Sequence, residues 1–434
     1  VSKLDSSGNY VWAKSFGGSG ADFGHSVAVD SSGNVYTTGY FSGTVDFDPG
    51  SGTTNLTSNG VEDVFVSKLD SSGNYVWAKS FGGTHTDYGF SVAVDSSGNV
   101  YTTGYFNGTG DFDPGSGTTN LTSNGNTDVF VSKLDSSGNY VWAKNLGGTD
   151  GDGGYSVAVD SSGNVYTTGT FNGTGDFDPG PGTTNLTSNG NTDVFVSKLD
   201  SSGNYVWAKS FGGTNSDVGR SVAVDSSGNV YTTGYFKSTP GDFDPGSGTA
   251  NLTSNGVDDV FVSKLDSSGN YVWAKSFGGT NTEIGYSVAV DSSGNVHTTG
   301  YFKSTLVDFD PGSGTANLTL NSGANASYPG TDVFVSKLDS SGNYVWAKSF
   351  GSDHSSIESG NSVAVDSSGN VYTTGDFRST VDFDPGSGTT NLTAPSNSDV
   401  FVLKLDSSGN LGTSTGAVTT TTTTTAPTVT TTTT

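Results

Sequence analysis

The 434-residue sequence has no cysteine and no methionine, and its only glutamates are Glu62, Glu283 and Glu358. Without cysteine there are no disulfides, thiolate metal sites or thiol nucleophiles, and the redox compartment stays open. No apolar run is long enough to cross a bilayer, so membrane insertion by a helix is not expected. Basic residues are scarce. Lys and Arg number 17 against 42 Asp and Glu, and the formal net charge of −25 repels nucleic acid. Helix-favouring runs are nearly missing. The chain opens inside a copy of its own repeat, so it reads as one portion of a larger polypeptide, and the lack of an amino-terminal signal says nothing about export.

What is present is turn and strand chemistry. The chain has 65 glycines, with 31% hydrophobic and 12% aromatic residues, enough apolar side chain to bury a core in many short strands. The stretch DVFVSKLDSSGNYVWAKSFGG, from Asp63 to Gly83, returns almost unchanged from Asp128, Asp193, Asp259 and Asp332. The six tryptophans, at positions 12, 77, 142, 207, 273 and 346, recur at intervals of 65, 65, 65, 66 and 73 residues. Internal repetition therefore decides the fold class.

Each period of about 65 residues holds two hairpins, SVAVDSSGNVYTTGYF and DVFVSKLDSSGNYVWAKSF. Both turn at DSSGN, where Asp bonds the turn backbone and Gly supplies a left-handed residue. Four strands per period predict an all-β fold, a β-propeller of four-stranded blades, over residues 1–412. The small residues of SVAVD suit an inner strand near the axis, and the Tyr and Trp of NYVWAK suit the wider space between blades. Counting strands leaves two closures open. The opening YVWAK hairpin either pairs with the last two inner strands, giving six blades, or belongs to a seventh whose inner pair is missing.

The phrases DVFVSKLD and SVAVDSSGNVY resemble the SBBP-type β-propeller repeats of bacterial exported and surface proteins. That resemblance implies a propeller and an extracellular or cell-surface location, with no single activity attached. The phrase VDFDPGSGTTNLTSNG is longer and more acidic than the simplest repeats of this type carry. Residues 413–434 are rich in Thr, offer no apolar face and read as a linker or stalk.

Candidate binding residues follow from topology. In an up-and-down blade both DSSGN turns fall on one side of the disc, whereas the acidic phrase and the variable segment before SVAV fall on the other. The acidic phrase repeats Asp46 and Asp48 as Asp111/Asp113, Asp176/Asp178, Asp242/Asp244, Asp308/Asp310 and Asp382/Asp384. Asp-x-Asp before Gly is similar to the start of a calcium loop, but without its third ligand and distal Glu it fits an Asx-stabilised Asp-Pro-Gly turn better. A second acidic position, Asp22, Asp87, Asp152, Asp217, Glu283 and Glu358, lies on the same face and would complete a cation site if it approached the first.

Departures from the repeat mark the remaining candidates, because a singular site in a symmetric ring must break the repetition. Lys237, Lys303 and Arg378 replace Ser42, Asn107 and Asn172, and Arg220 stands alone before its SVAV strand, which together predict a locally basic half-ring for an anionic glycan or carboxylate. Tyr328, in the insertion NSGANASYPG, would be an exposed aromatic suited to sugar. No His recurs beside a Ser, so no nucleophile and base are placed together. The expected function is a monomeric, non-catalytic adhesion or binding module for a glycan or protein, with a structural spacer or a hydrolase with one singular site as alternatives.

Overall fold

The computed structural model describes residues 1–321, 330–352, 356–395 and 397–412, and the backbone of 418–421; Tyr328 lies outside them. Every regular element among these residues is a strand. In the second repeat Tyr88–Val94, Val100–Asp111, Asn120–Leu134 and Tyr140–Gly148 pair antiparallel in chain order. Asp217–Val224, Val230–Phe236, Asp259–Leu265 and Tyr271–Phe277 repeat that order, as do Glu283–Val290, Val296–Phe302, Asp332–Leu338 and Tyr344–Phe350.

The DSSGN turns form as their composition requires. The Asp70 carboxylate accepts from the backbone N–H groups of Ser72 and Asn74 at 2.8 and 2.9 Å, and Gly73 takes a φ of 79°, a value that favours glycine. Such turns pin the register, so each strand keeps its apolar face toward a neighbouring repeat.

Packing between repeats is uniform. Val64, Val66, Trp77 and Phe81 of one repeat form a single apolar cluster with Val92, Val100, Phe106 and Phe130 of the next. The Trp77 indole N–H donates to the Ser136 carbonyl at 3.2 Å, so the one polar atom of that ring is satisfied where it is buried. First strands meet first strands: Val92 N–H donates to Ser26 Oγ at 3.2 Å, and Val157 N–H to Ser91 Oγ at 3.1 Å. Gly89 permits this approach, since a Cβ there would lie 2.6 Å from Thr38 Oγ1 and 2.8 Å from Val64 Cγ1 of the preceding repeat.

The acidic phrase folds into a small hairpin, seen in Thr174–Asp176 and Asn185–Thr187, whose first strand pairs with the end of the preceding repeat at Gly147 and Gly148. Its central Phe177 is fully buried against Phe171 and Phe195. An aromatic anchor thus staples each repeat to the one before it.

The two ends of the array do not join. Ser2–Leu4 and Tyr10–Ala13 form a two-stranded sheet of their own, while Ser359–Val365 and Val371–Phe377 pair onward with Asp399–Leu405. The opening hairpin therefore does not pair with the last sheet. The fourth strand of that last sheet is Val418–Thr421, from the Thr-rich segment expected to be a stalk. Side chains facing the break are bare. Val27 is 59% exposed where its counterpart Val92 is 5% exposed, and Val400 is 45% exposed where Val64 is fully buried.

Candidate functional site

Six first strands stand round one channel. Each carries a register shift at the residue before its SVAV segment, as between Gly24 and Ser26 or between Gly219 and Ser221. The extra residue is the bulged one, and a bulge re-aims a side chain. The bulged residues are His25, Phe90, Tyr155, Arg220, Tyr286 and Asn361, and all six line a single cavity of about 640 Å³.

Aromatic rings form its wall. His25 and Phe90 have centroids 5.1 Å apart, Phe90 and Tyr155 5.5 Å, and Tyr40 stacks on Tyr88 at 3.9 Å. The Arg220 guanidinium carbon lies 5.1, 5.6 and 5.9 Å from the ring centroids of Tyr155, Tyr235 and Tyr286, within cation–π range of all three. Burial pushes the His25 imidazole down, which favours its neutral form.

The acidic phrase behaves as a turn. Asp46, Asp111, Asp176, Asp242, Asp308 and Asp382 each accept from two backbone N–H groups, such as those of Asp48 at 3.0 Å and Thr54 at 2.8 Å. Asp48, Asp113, Asp178, Asp244, Asp310 and Asp384 each accept the N–H of the glycine two residues on, at 2.8 Å. Among the described residues no three acidic or histidine side chains converge in a way that could hold a metal ion.

The second acidic position does not meet the first. Asp87 accepts from Gly83 N–H at 2.7 Å and Asn107 N–H at 3.0 Å. Asp152 and Asp217 repeat those bonds, and Glu283 makes them with a longer side chain to Gly279 and Ser304. What Asp87 approaches is Asp63, the residue opening DVFV: a Cβ on Gly82 would lie 2.7 Å from Asp87 Oδ2 and 3.1 Å from Asp63 Oδ1. Both carboxyls are fully buried, and Asp63 Oδ1 has no hydrogen-bond partner.

Burial, with the Asp87 charge adding to it, pushes Asp63 up to about 6; burial does the same to Asp193 and Asp332, each to about 7, and to Glu358, to about 8. Sequence reasoning missed the Asp63 position. Its signal was an Asp opening every copy of an otherwise apolar strand. At the open ends Asp22 Oδ1 and Asp399 Oδ2 also have no partner, each being half of such a junction.

The expected basic half-ring divides. Arg220 lies inside the channel, whereas Lys237 and Arg378 are exposed beyond the second strand and Lys303 is half-buried there. Their backbones matter more than their charges, since Lys237 N–H and Lys303 N–H donate to Asp217 and Glu283. The bulge that separates Arg220 from them leaves no mark in a single sequence.

The SBBP β-propeller repeat model matches residues 11–40, 76–113, 141–178, 206–238, 272–301 and 345–376. The chain is an SBBP repeat protein. Each SBBP match runs from a fourth strand into the first two strands of the next repeat, so the family unit spans a junction and includes one bulged channel residue. An uncharacterized WD repeat-containing protein of Acanthamoeba polyphaga mimivirus is 27% identical over 92% of this chain and 34% of its own length. The regulatory protein FlaEY of Caulobacter vibrioides is 32% identical over 34% of this chain and 15% of its own length. The SBBP array thus spans about a third or less of these relatives. Among solved structures, Sqt1 from Chaetomium thermophilum is similar over 88% of this chain and 85% of its own, at 10% identity and a TM-score of 0.38.

Proposed function

We propose that this chain is a non-catalytic, exported binding module, belonging to a propeller of seven four-stranded blades of which it supplies six first strands, and that it takes its partner at the mouth of the axial channel. One observation carries the reading. Repeats that are nearly identical elsewhere differ at the bulged position, as His, Phe, Tyr, Arg, Tyr and Asn, and the fold brings those six residues into one cavity. Variation on a rigid scaffold is where recognition is built. Small-ligand cavities fall in the range of roughly 300 to 1,000 Å³.

The break supports the reading of seven blades in a closed ring. The hairpin of Ser2–Leu4 and Tyr10–Ala13 places its Trp12 indole N–H on the Ser71 carbonyl at 3.2 Å, as Trp77 does on Ser136, so it holds the outer half of a blade preceding Asp22. An opening of about 580 Å³ lined by Val1, Ser2, Val27, Ala364, Tyr372 and Val402 lies where the inner half would sit. A partner hairpin of the repeat's own type there would close the ring and remove its edges.

The experiment is a glycan and matrix-protein array probed with the 434-residue chain and with a Phe90→Ala, Tyr155→Ala, Tyr286→Ala variant. Signal lost in the variant, with melting unchanged, supports binding in the channel. Signal retained in the variant moves the site elsewhere, and no signal from either protein leaves the ring as a spacer.

A further inference from the structure

We propose that Arg220 anchors a carboxylate, so that the channel takes an acidic saccharide, a glycan bearing uronic acid; this rests on reading the channel as a binding site. Of the six channel residues Arg220 is the one cation, in a chain of net charge −25. Its charge meets tyrosine rings but no carboxylate within the described residues. Among the described residues it forms no ion pair and donates no hydrogen bond, and its Nε is shielded from solvent without a partner. A buried donor left unmade carries a desolvation cost that a ligand acceptor would relieve.

The nearby carboxylates are engaged elsewhere. Asp376 accepts from Asn361 Nδ2 at 3.2 Å and Ser398 Oγ at 3.4 Å, Asp258 from Thr282 Oγ1 at 3.4 Å, and Glu62 from Thr86 Oγ1 at 3.0 Å. The guanidinium lies over three tyrosine rings, none of which offers a carboxylate, so a planar, bidentate acceptor would supply the partner it lacks. A single negative charge matches the single Arg. A doubly charged phosphate would face Asp376, Asp258 and Glu62 with its second charge uncompensated.

The rest of the wall suits a sugar. Phe90, Tyr105, Tyr155 and Tyr286 offer flat apolar faces, the tyrosines with hydroxyls at their rims, the combination that packs against a ring bearing both C–H and O–H groups.

Calorimetric titration of the 434-residue chain with trigalacturonate, with its neutral carboxyl-reduced counterpart and with glucose 6-phosphate tests this directly. The acidic trimer should bind at least about tenfold tighter than the neutral one, as expected when a charged hydrogen-bonding pair is lost. R220Q should abolish that preference and R220K should retain part of it, weakened several-fold, which carries the test if R220Q does not fold. Equal binding of the acidic and neutral trimers, tighter binding of glucose 6-phosphate, or unchanged preference in R220Q would overturn the assignment. Loss of the neutral trimer in Tyr155→Ala and Tyr286→Ala, with R220Q indifferent, would sink the anchor and leave the channel as a binding site. No binding of any of the three probes overturns the saccharide assignment, and the array then decides whether the channel binds anything.

Discussion

Asp63 and Asp87 bring two fully buried carboxyls against one glycine, Gly82, at the junction of adjacent repeats. Burial pushes both carboxyls up, and the Asp87 charge adds to the shift at Asp63. The same arrangement recurs at Asp128/Asp152 and Asp193/Asp217.

Stability should therefore depend on pH in a stated direction. A carboxyl raised to about 6 or 7 in the folded chain and near 4 when unfolded contributes stability that is complete below pH 4 and is lost as pH rises through 6 and 7. The DSSGN carboxylates act oppositely. Asp95 and Asp160 are held below the usual carboxylate range by hydrogen bonds from Asn99 and Asn164 that outweigh the opposing effect of burial, so they withdraw stability as pH falls below about 4. Thermal melts should peak near pH 5 and fall by about 5 °C or more toward pH 8. Asp63→Asn, Asp128→Asn, Asp193→Asn and Asp332→Asn combined should flatten the alkaline side; a melting temperature rising from pH 5 to 8 would contradict the pairing.

The aromatic residue of the acidic phrase, not its carboxylates, should dominate that phrase's contribution. Phe112 is fully buried and contacts Phe81, Phe106 and Phe130. Phe112→Ala should cost about 3–5 kcal/mol in denaturant unfolding, whereas Asp113→Asn, which weakens one N–H bond from Gly115, should cost about 1 kcal/mol. Because Asp111 and Asp113 are already occupied by backbone N–H groups, calcium or a chelator should leave the melting temperature unchanged. A clear calcium-dependent rise would restore the cation reading.

Much of this was legible in the sequence and some was not. Repetition gave the period, DSSGN gave the hairpins, and the Trp in NYVWAK gave the packing between repeats, because each is a local pattern copied many times. The destination of Arg220 was not legible. Period-two alternation tells which residues share a strand face, but the bulge at Gly219 and Ser221 breaks that alternation by one residue and turns Arg220 to the axis. Lys237 and Lys303, close to it in composition, stay outside. Likewise Asp87 looked like a partner for the Asp-Phe-Asp phrase until the fold placed Asp63 beside it.

The open ends make a contrast between equivalent residues. Val92→Asp, at a buried junction, should destabilise by more than about 3 kcal/mol, while Val27→Asp, at the exposed counterpart, should stay within about 0.5 kcal/mol. A synthetic hairpin of sequence SVAVDSSGNVYTTGYF should raise the melting temperature of the 434-residue chain, and Val27→Asp should abolish that rise. Equal costs at the two valines would place Val27 in a closed junction already.

The central claim is that the six first strands share one axis. With no native cysteine, His25→Cys and Asn361→Cys can be spin-labelled without background, and the distance between them measured by pulsed electron resonance. Because both residues line the same cavity, a distribution centred at about 20 Å or less is expected. Sheets stacked in a line at about 10 Å per repeat would put these positions, five repeats apart, at roughly 50 Å, and a distribution there would contradict the account.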